Sequence, residues 1–108
     1  QLTGNDDNAL EFNKRGGVGA IGVTANVAAK LSSDFQKACK NDMLEAVKLD
    51  KILQPLHSSL FIESNPSPVK YAASLLKMCS PSVRLPLVEI RDETKKKVSD
   101  ALKAAKLL

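Results

Sequence analysis

Val18-Gly19-Ala20-Ile21-Gly22-Val23-Thr24 is an uncharged apolar run punctuated by glycine, and its reading decides the fold. An apolar run without polar alternation fits a strand buried on both faces of a parallel sheet, where helices cover both sides and leave no wet face. Its glycines let a neighbouring backbone or a ligand come close. Just upstream, Gly16-Gly17 stops a short helix predicted over residues 8–15, with Asp6 or Asp7 as its cap and Leu10 and Phe12 as its apolar positions. Before that helix, Gln1-Leu2-Thr3-Gly4 reads as the end of a further strand entering a loop.

Downstream of Thr24 the period turns helical. Val27, Leu31, Phe35, Ala38 and Cys39 mark one face of a helix reaching Asn41, with Asn26 as the expected cap. Asp42 and Glu45 then form a capping-box pattern, followed by Leu44, Val47, Leu49, Ile52, Leu53, Leu56 and Leu60. Pro55 lies inside this pattern and removes a backbone donor, so a kink is expected over 51–55 rather than an end. Asn65-Pro66-Ser67-Pro68 breaks the chain, and Pro68 suits the first turn of a helix predicted over 69–78. Residues 79–90, with Pro81 and Pro86, read as an extended connector. A last helix over 92–107 has Val98, Ala101, Leu102 and Ala105 as its stripe. A strand buried on both faces needs parallel neighbours, and this sequence offers one fragmentary partner, at 1–3. The expectation is that the sheet continues in residues outside this sequence, which opens on Gln rather than Met and reads as starting inside a larger domain.

With 44% hydrophobic and 26% charged residues over 108 positions, the composition is that of one ordinary domain. Its core must be aliphatic, because Phe12, Phe35, Phe61 and Tyr71 are the only aromatics, and few stacking platforms exist for a base or a sugar. The net charge of +4 comes from 16 basic residues interspersed with 12 acidic ones, and only Lys95-Lys96-Lys97 forms a run. That run reads as a solvated helix face, so no nucleic-acid partner is expected; a stand-alone basic helical binding module is the rival reading. Cys39 and Cys79 sit in apolar patterns without CxxC spacing and with one histidine, His57, in the chain. They read as buried, reduced thiols of a cytoplasmic protein, with no metal site. No apolar stretch approaches the ~20 residues of a membrane span, so no membrane partner is expected, and the N-terminus lacks a signal-peptide layout.

In a barrel of parallel strands, chemistry sits at the strands' C-terminal ends, here Thr3-Gly4-Asn5-Asp6 and Thr24-Ala25-Asn26. The local reading of these residues is a turn with Asp6 as cap, and loop hydrogen bonds for Thr24 and Asn26. Gly16 to Gly19 leads from helix to strand, the reverse of a phosphate-binding loop. His57, one turn from Leu53 and Leu60, reads as a structural histidine. An imine-forming lysine must be desolvated to be nucleophilic at neutral pH. None of the lysines meets that condition, since the 18–24 run has none and the rest fall on polar helix faces or in loops. This stretch therefore holds no credible nucleophile, and no cofactor is expected.

Gly16 to Val27, then Leu53-Gln54-Pro55-Leu56-His57, then Leu60-Phe61-Ile62-Glu63-Ser64-Asn65-Pro66-Ser67-Pro68-Val69-Lys70 resemble successive motifs of the dihydrodipicolinate synthases. Leu85-Pro86-Leu87 and the terminal Ala101 to Leu108 continue the match in order. N-acetylneuraminate lyases and related pyruvate-dependent aldolases share the glycine-rich strand but resemble the later segments less. The resemblance implies an α/β protein, the C-terminal part of a (β/α)₈ barrel: its seventh and eighth βα units at 1–41 and a three-helix C-terminal extension at 42–108. It also implies a lyase that binds pyruvate on a sixth-strand lysine as a Schiff base and condenses it with L-aspartate semialdehyde in lysine and diaminopimelate biosynthesis. That lysine would precede residue 1, so the segment alone is expected to be inactive. The substrate-lining positions that carry over are Gly4, Asn5, Asp6 and Ile21, the last through its carbonyl. A homo-oligomer, or association with the missing N-terminal part, is expected. Asn5 departs from the family's usual aspartate, and Arg15 takes a place often apolar in relatives and near a subunit contact.

Overall fold

The computed structural model describes residues 1–108 and contains five α-helices: α1 Ala9–Lys14, α2 Ala29–Asn41, α3 Met43–Ser59, α4 Ser67–Leu75 and α5 Asp92–Ala104. Single 3₁₀ turns, Asp6–Asn8 and Thr24–Asn26, lead toward α1 and α2. The segments 1–3 and 18–22 run parallel and meet in one bridge, Thr3 with Ala20. Val18 N–H donates to the Gln1 carbonyl at 3.0 Å, Thr3 N–H to Gly19 at 3.0 Å, and Ile21 N–H to Thr3 at 2.9 Å.

These bonds are the only sheet pairing of the strand predicted over 18–24, whose extent is corrected to 18–22, and without further neighbouring strands Val18 is 59% and Ile21 72% exposed. The backbone has left the extended region by Val23, and Thr24 belongs to a 3₁₀ turn. The reason is physical, because a parallel strand is buried by neighbours on each side, and only one partner segment is present. Nor do Asp6 and Asp7 cap the helix that follows; α1 starts without a side-chain cap. Asn26 likewise does not cap α2, but folds back so that its Nδ2 donates to the Val23 carbonyl at 3.0 Å.

The helical half follows its sequence pattern, except that Leu44 and Ile52 of the expected apolar face of α3 are exposed. Asp42 Oδ1 accepts the Glu45 N–H at 3.2 Å, and extended backbone at Asp42 separates α2 from α3. α3 runs continuously through Pro55, whose exposed ring costs no buried contact, while Leu53, Leu56 and Leu60 on the opposite side are fully buried. α4 carries Pro68 in its first turn and ends at Leu75, earlier than predicted. Its end is a Schellman turn: Met78 N–H bonds to the Ala73 carbonyl and Lys77 N–H to Ser74, with Lys77 left-handed at φ 60°. The same pattern stops α5 at Lys106, φ 58°, so that helix also ends short of residue 107. Because α4 stops early, Cys79 falls on the connector and is exposed, whereas Cys39 on α2 is half-buried; the expectation of two buried thiols is corrected for Cys79.

One apolar cluster joins these elements, from Ala9 and Val27 through Phe35, Leu53, Leu56 and Leu60 to Val98 and Leu102. α2 lies along α3, and α5 packs against both α3 and α4. Glu63, just past α3, ties the start of α5 down by accepting the Arg91 N–H at 3.0 Å, an acidic group at a helix N-terminus. This arrangement presses α3 against the ends of the two parallel segments, where the polar residues gather.

Candidate functional site

The loop after Thr3 brings Gly4, Asn5 and Asp6 beside the parallel segment that carries Ile21. Gly4 and Asn5 are exposed, and Asn5 N–H bonds back to Thr3 Oγ1 at 3.2 Å. Ile21 is fixed through its N–H to Thr3, while its carbonyl accepts no hydrogen bond from the chain. Asp6 does something different from the other three. Its Oδ2 accepts the N–H groups of Val23 at 2.7 Å and Thr24 at 3.0 Å, closing the two strand ends onto each other. The approach is so tight that a Cβ at position 22 would overlap the Asp6 carboxylate and displace it from its two N–H partners.

Below this clamp lies a pair that sequence reasoning kept apart. Thr24, fully buried, and His57 of α3, 5% exposed, meet through Oγ1 and Nδ1 at 2.7 Å. His57 was legible as structural from its place one turn from Leu53 and Leu60 on the same face. Its partner was not, because the two residues are 33 positions apart. Burial holds the His57 imidazole below its ordinary value, and the carboxylates of Asp6, Asp50 and Asp7 pull it back only in part. At neutral pH the ring is therefore uncharged, a hydrogen-bonding brace. Gln54, one turn earlier on α3, adds a second tie by donating to the Asp7 carbonyl at 2.9 Å and to Asp50 Oδ1 at 3.0 Å.

Two open clefts flank the brace. One, of about 280 Å³, runs between Gly22, Phe35, Gln36, Leu53 and His57. The other, of about 240 Å³, is bordered by Asn5, Asp6, Asp7, His57, Ser58 and Phe61. Neither contains a lysine, and no group of three or more metal-ligating side chains exists in the chain. The site as it stands offers a free carbonyl, exposed loop polar groups and a rigid base, but no nucleophile.

Two parallel segments, each leading through a polar loop into a helix, with those loops gathered at one end, are the arrangement of a parallel α/β protein. The chain belongs to the dihydrodipicolinate synthetase family, whose model matches residues 1–105. It is 69% identical over 112 residues to the 4-hydroxy-tetrahydrodipicolinate synthase of Pelagibacter ubique, a match covering 100% of this chain and 38% of that protein. It is 57% identical over 110 residues to the synthase of Zymomonas mobilis, again covering 100% of this chain and 38% of the relative. The chain thus spans little more than a third of the length of these relatives. Among solved structures, the dihydrodipicolinate synthase of Thermotoga maritima superposes with a TM-score of 0.95 at 33% identity, covering 99% of this chain and 37% of that one. The Aquifex aeolicus enzyme does so with 0.93 at 36% identity, covering 98% and 36%.

Proposed function

We propose that these residues form the C-terminal part of a lyase that condenses pyruvate with L-aspartate semialdehyde through a Schiff base, giving 4-hydroxy-tetrahydrodipicolinate in the cytoplasm. The observation that carries this reading is the match to synthases over the whole chain, at 69% identity in one of them. Residues 1–41 are then the seventh and eighth βα units of the barrel and 42–108 its helical extension, which braces the site through His57. Gly4, Asn5 and the Ile21 carbonyl line the substrate, supported by the exposure of all three residues and by the Ile21 carbonyl's lack of an internal hydrogen bond. Asp6 is assigned a positioning role, because its carboxylate is held by two backbone N–H groups.

The chemistry needs an amine that is neutral at working pH, and desolvation is what makes a lysine so. None of the lysines in this chain is buried; Lys70 and Lys95 are half-buried and the rest exposed. The segment alone is therefore inactive, with the imine-forming lysine supplied by the preceding part of the barrel. Incubation with pyruvate and borohydride should leave the mass of the 108-residue chain unchanged. A chimera joining the preceding part of the Pelagibacter ubique synthase to this chain should trap pyruvate on one lysine of the donor part and turn over both substrates. A pyruvyl adduct on any lysine of this chain, or a folded chimera without turnover, would refute the assignment.

A further inference from the structure

We infer that Gln54 on α3 is a positioning residue for the reaction, holding the loop that carries Gly4 and Asn5 at a set distance from the loop that follows Ile21. The inference rests on the reading just given and adds how the helical extension acts on the site.

Both loops are tied to α3 by side chains that lie one turn apart on the same helix face. His57 reaches the second loop through Thr24 Oγ1 at 2.7 Å. Gln54 reaches the first, its Nε2 donating to the Asp7 carbonyl at 2.9 Å from 47 positions away in sequence. Helical geometry holds the two anchors about 4.5 Å apart along the axis, so the pair sets the spacing between the loops as well as fixing each one. The first loop depends on such support, because its 3₁₀ turn, Asp6–Asn8, has no side-chain cap and α1 begins without one. Asp6 fastens the near side of that turn to Val23 and Thr24, and Gln54 fastens the far side at Asp7.

The Gln54 amide is itself aimed. Asp50, one turn earlier on α3, accepts from the same Nε2 at 3.0 Å, so the nitrogen rather than the oxygen faces the Asp7 carbonyl, and turning the amide over would lose both bonds. Gln54 borders neither cleft, and it therefore acts through the Asp7 backbone and not on substrate directly. Small displacements of groups that line a substrate cost rate, because the reacting geometry is set in advance by its supports. Pyruvate is held covalently in this reaction. A displaced loop is thus read first in L-aspartate semialdehyde, which is held by non-covalent contacts.

The test compares Gln54→Met, which keeps the length but removes the donor, with Gln54→Lys, which keeps a donor for the Asp7 carbonyl and a charge partner for Asp50. Each is made in the chimera with the Pelagibacter ubique synthase and in the 108-residue chain, and circular dichroism checks that the helices persist. In the chimera, Gln54→Met should raise KM for L-aspartate semialdehyde about three- to tenfold, the effect of one lost hydrogen bond. Its kcat should stay within about twofold, and pyruvate trapping by borohydride should be unchanged. Gln54→Lys should restore KM. In the chain alone, exchange of the Asn5 N–H, bonded to Thr3 Oγ1, should quicken about threefold or more in Gln54→Met and not in Gln54→Lys. An unchanged KM in Gln54→Met, a fall in kcat alone, or equal damage in both variants overturns the positioning role. If the unsubstituted chimera does not turn over, the catalytic reading fails instead; the Asn5 exchange then decides the role of Gln54 in holding the loop, and equal rates in all three chains overturn it.

Discussion

Asp6 and His57 show how few side chains hold the end of a broken sheet in place. The Asp6 carboxylate takes two N–H groups that a longer ladder would otherwise satisfy, and the absence of a side chain at Gly22 lets it reach them. His57 supports the same loop from beneath through the Thr24 hydroxyl. Because burial lowers the imidazole's affinity for a proton, the unfolded chain takes up a proton at the ordinary value of 6.5 before the folded one does. Stability is thus at its full value above about pH 6.5, falls as the pH drops through that value, and levels off once the folded imidazole also protonates. Urea midpoints measured from pH 7.5 down to 5.5 should fall, with the His57 ring resonance titrating below its value in a random-coil peptide. In His57→Asn, which keeps a partner for Thr24 but does not titrate, the decline over this interval should be lost. An equal decline in that variant would remove His57 as its source.

The helices differ in how openly their limits are written. Asp42 with Glu45 announces the start of α3, and the structure makes that bond. The ends of α4 and α5 carry no such announcement, because lysine occupies the left-handed position where glycine is usual. A side chain there is strained against the following carbonyl, so periodicity alone extends both helices too far. Lys106→Gly should therefore stabilise the chain by ~1 kcal/mol, the strain released less the extra freedom of glycine in the unfolded state. Thermal or urea unfolding reads this directly, and a loss of stability would contradict the terminal geometry. Arg91, at the start of α5, also lacks a local cap and relies on Glu63 from 28 residues upstream, a tie that the sequence does not advertise.

At the scale of the molecule, the 1–41 and 42–108 segments share one apolar cluster, with Phe35 and Ala38 of α2 packed into the same core as Leu53 and Leu56 of α3. A shared core couples their unfolding. The chain should lose structure in a single urea transition, and Leu53→Ala should shift the whole transition by roughly 2–5 kcal/mol, as for a fully buried leucine replaced by a small residue. Two separated transitions, with helix signal surviving in the second, would show that the segments fold independently. The brace from His57 to Thr24 places the helical extension under the strand ends, so destabilising α3 should also disorder the candidate site.

The sequence by itself determined the helical periodicity, the capping start of α3 and the break at 65–68, because each is set by neighbours within a turn or two. It also carried the family resemblance that the comparisons bear out. Tertiary structure alone decided that Asp6 clamps the strand ends instead of capping a helix, that Thr24 and His57 meet, and how much of the 18–24 run is strand. Those outcomes depend on which distant groups arrive to satisfy a buried donor or cover an apolar face. For Val18 and Ile21 no such group arrives within these 108 residues, and they stay exposed.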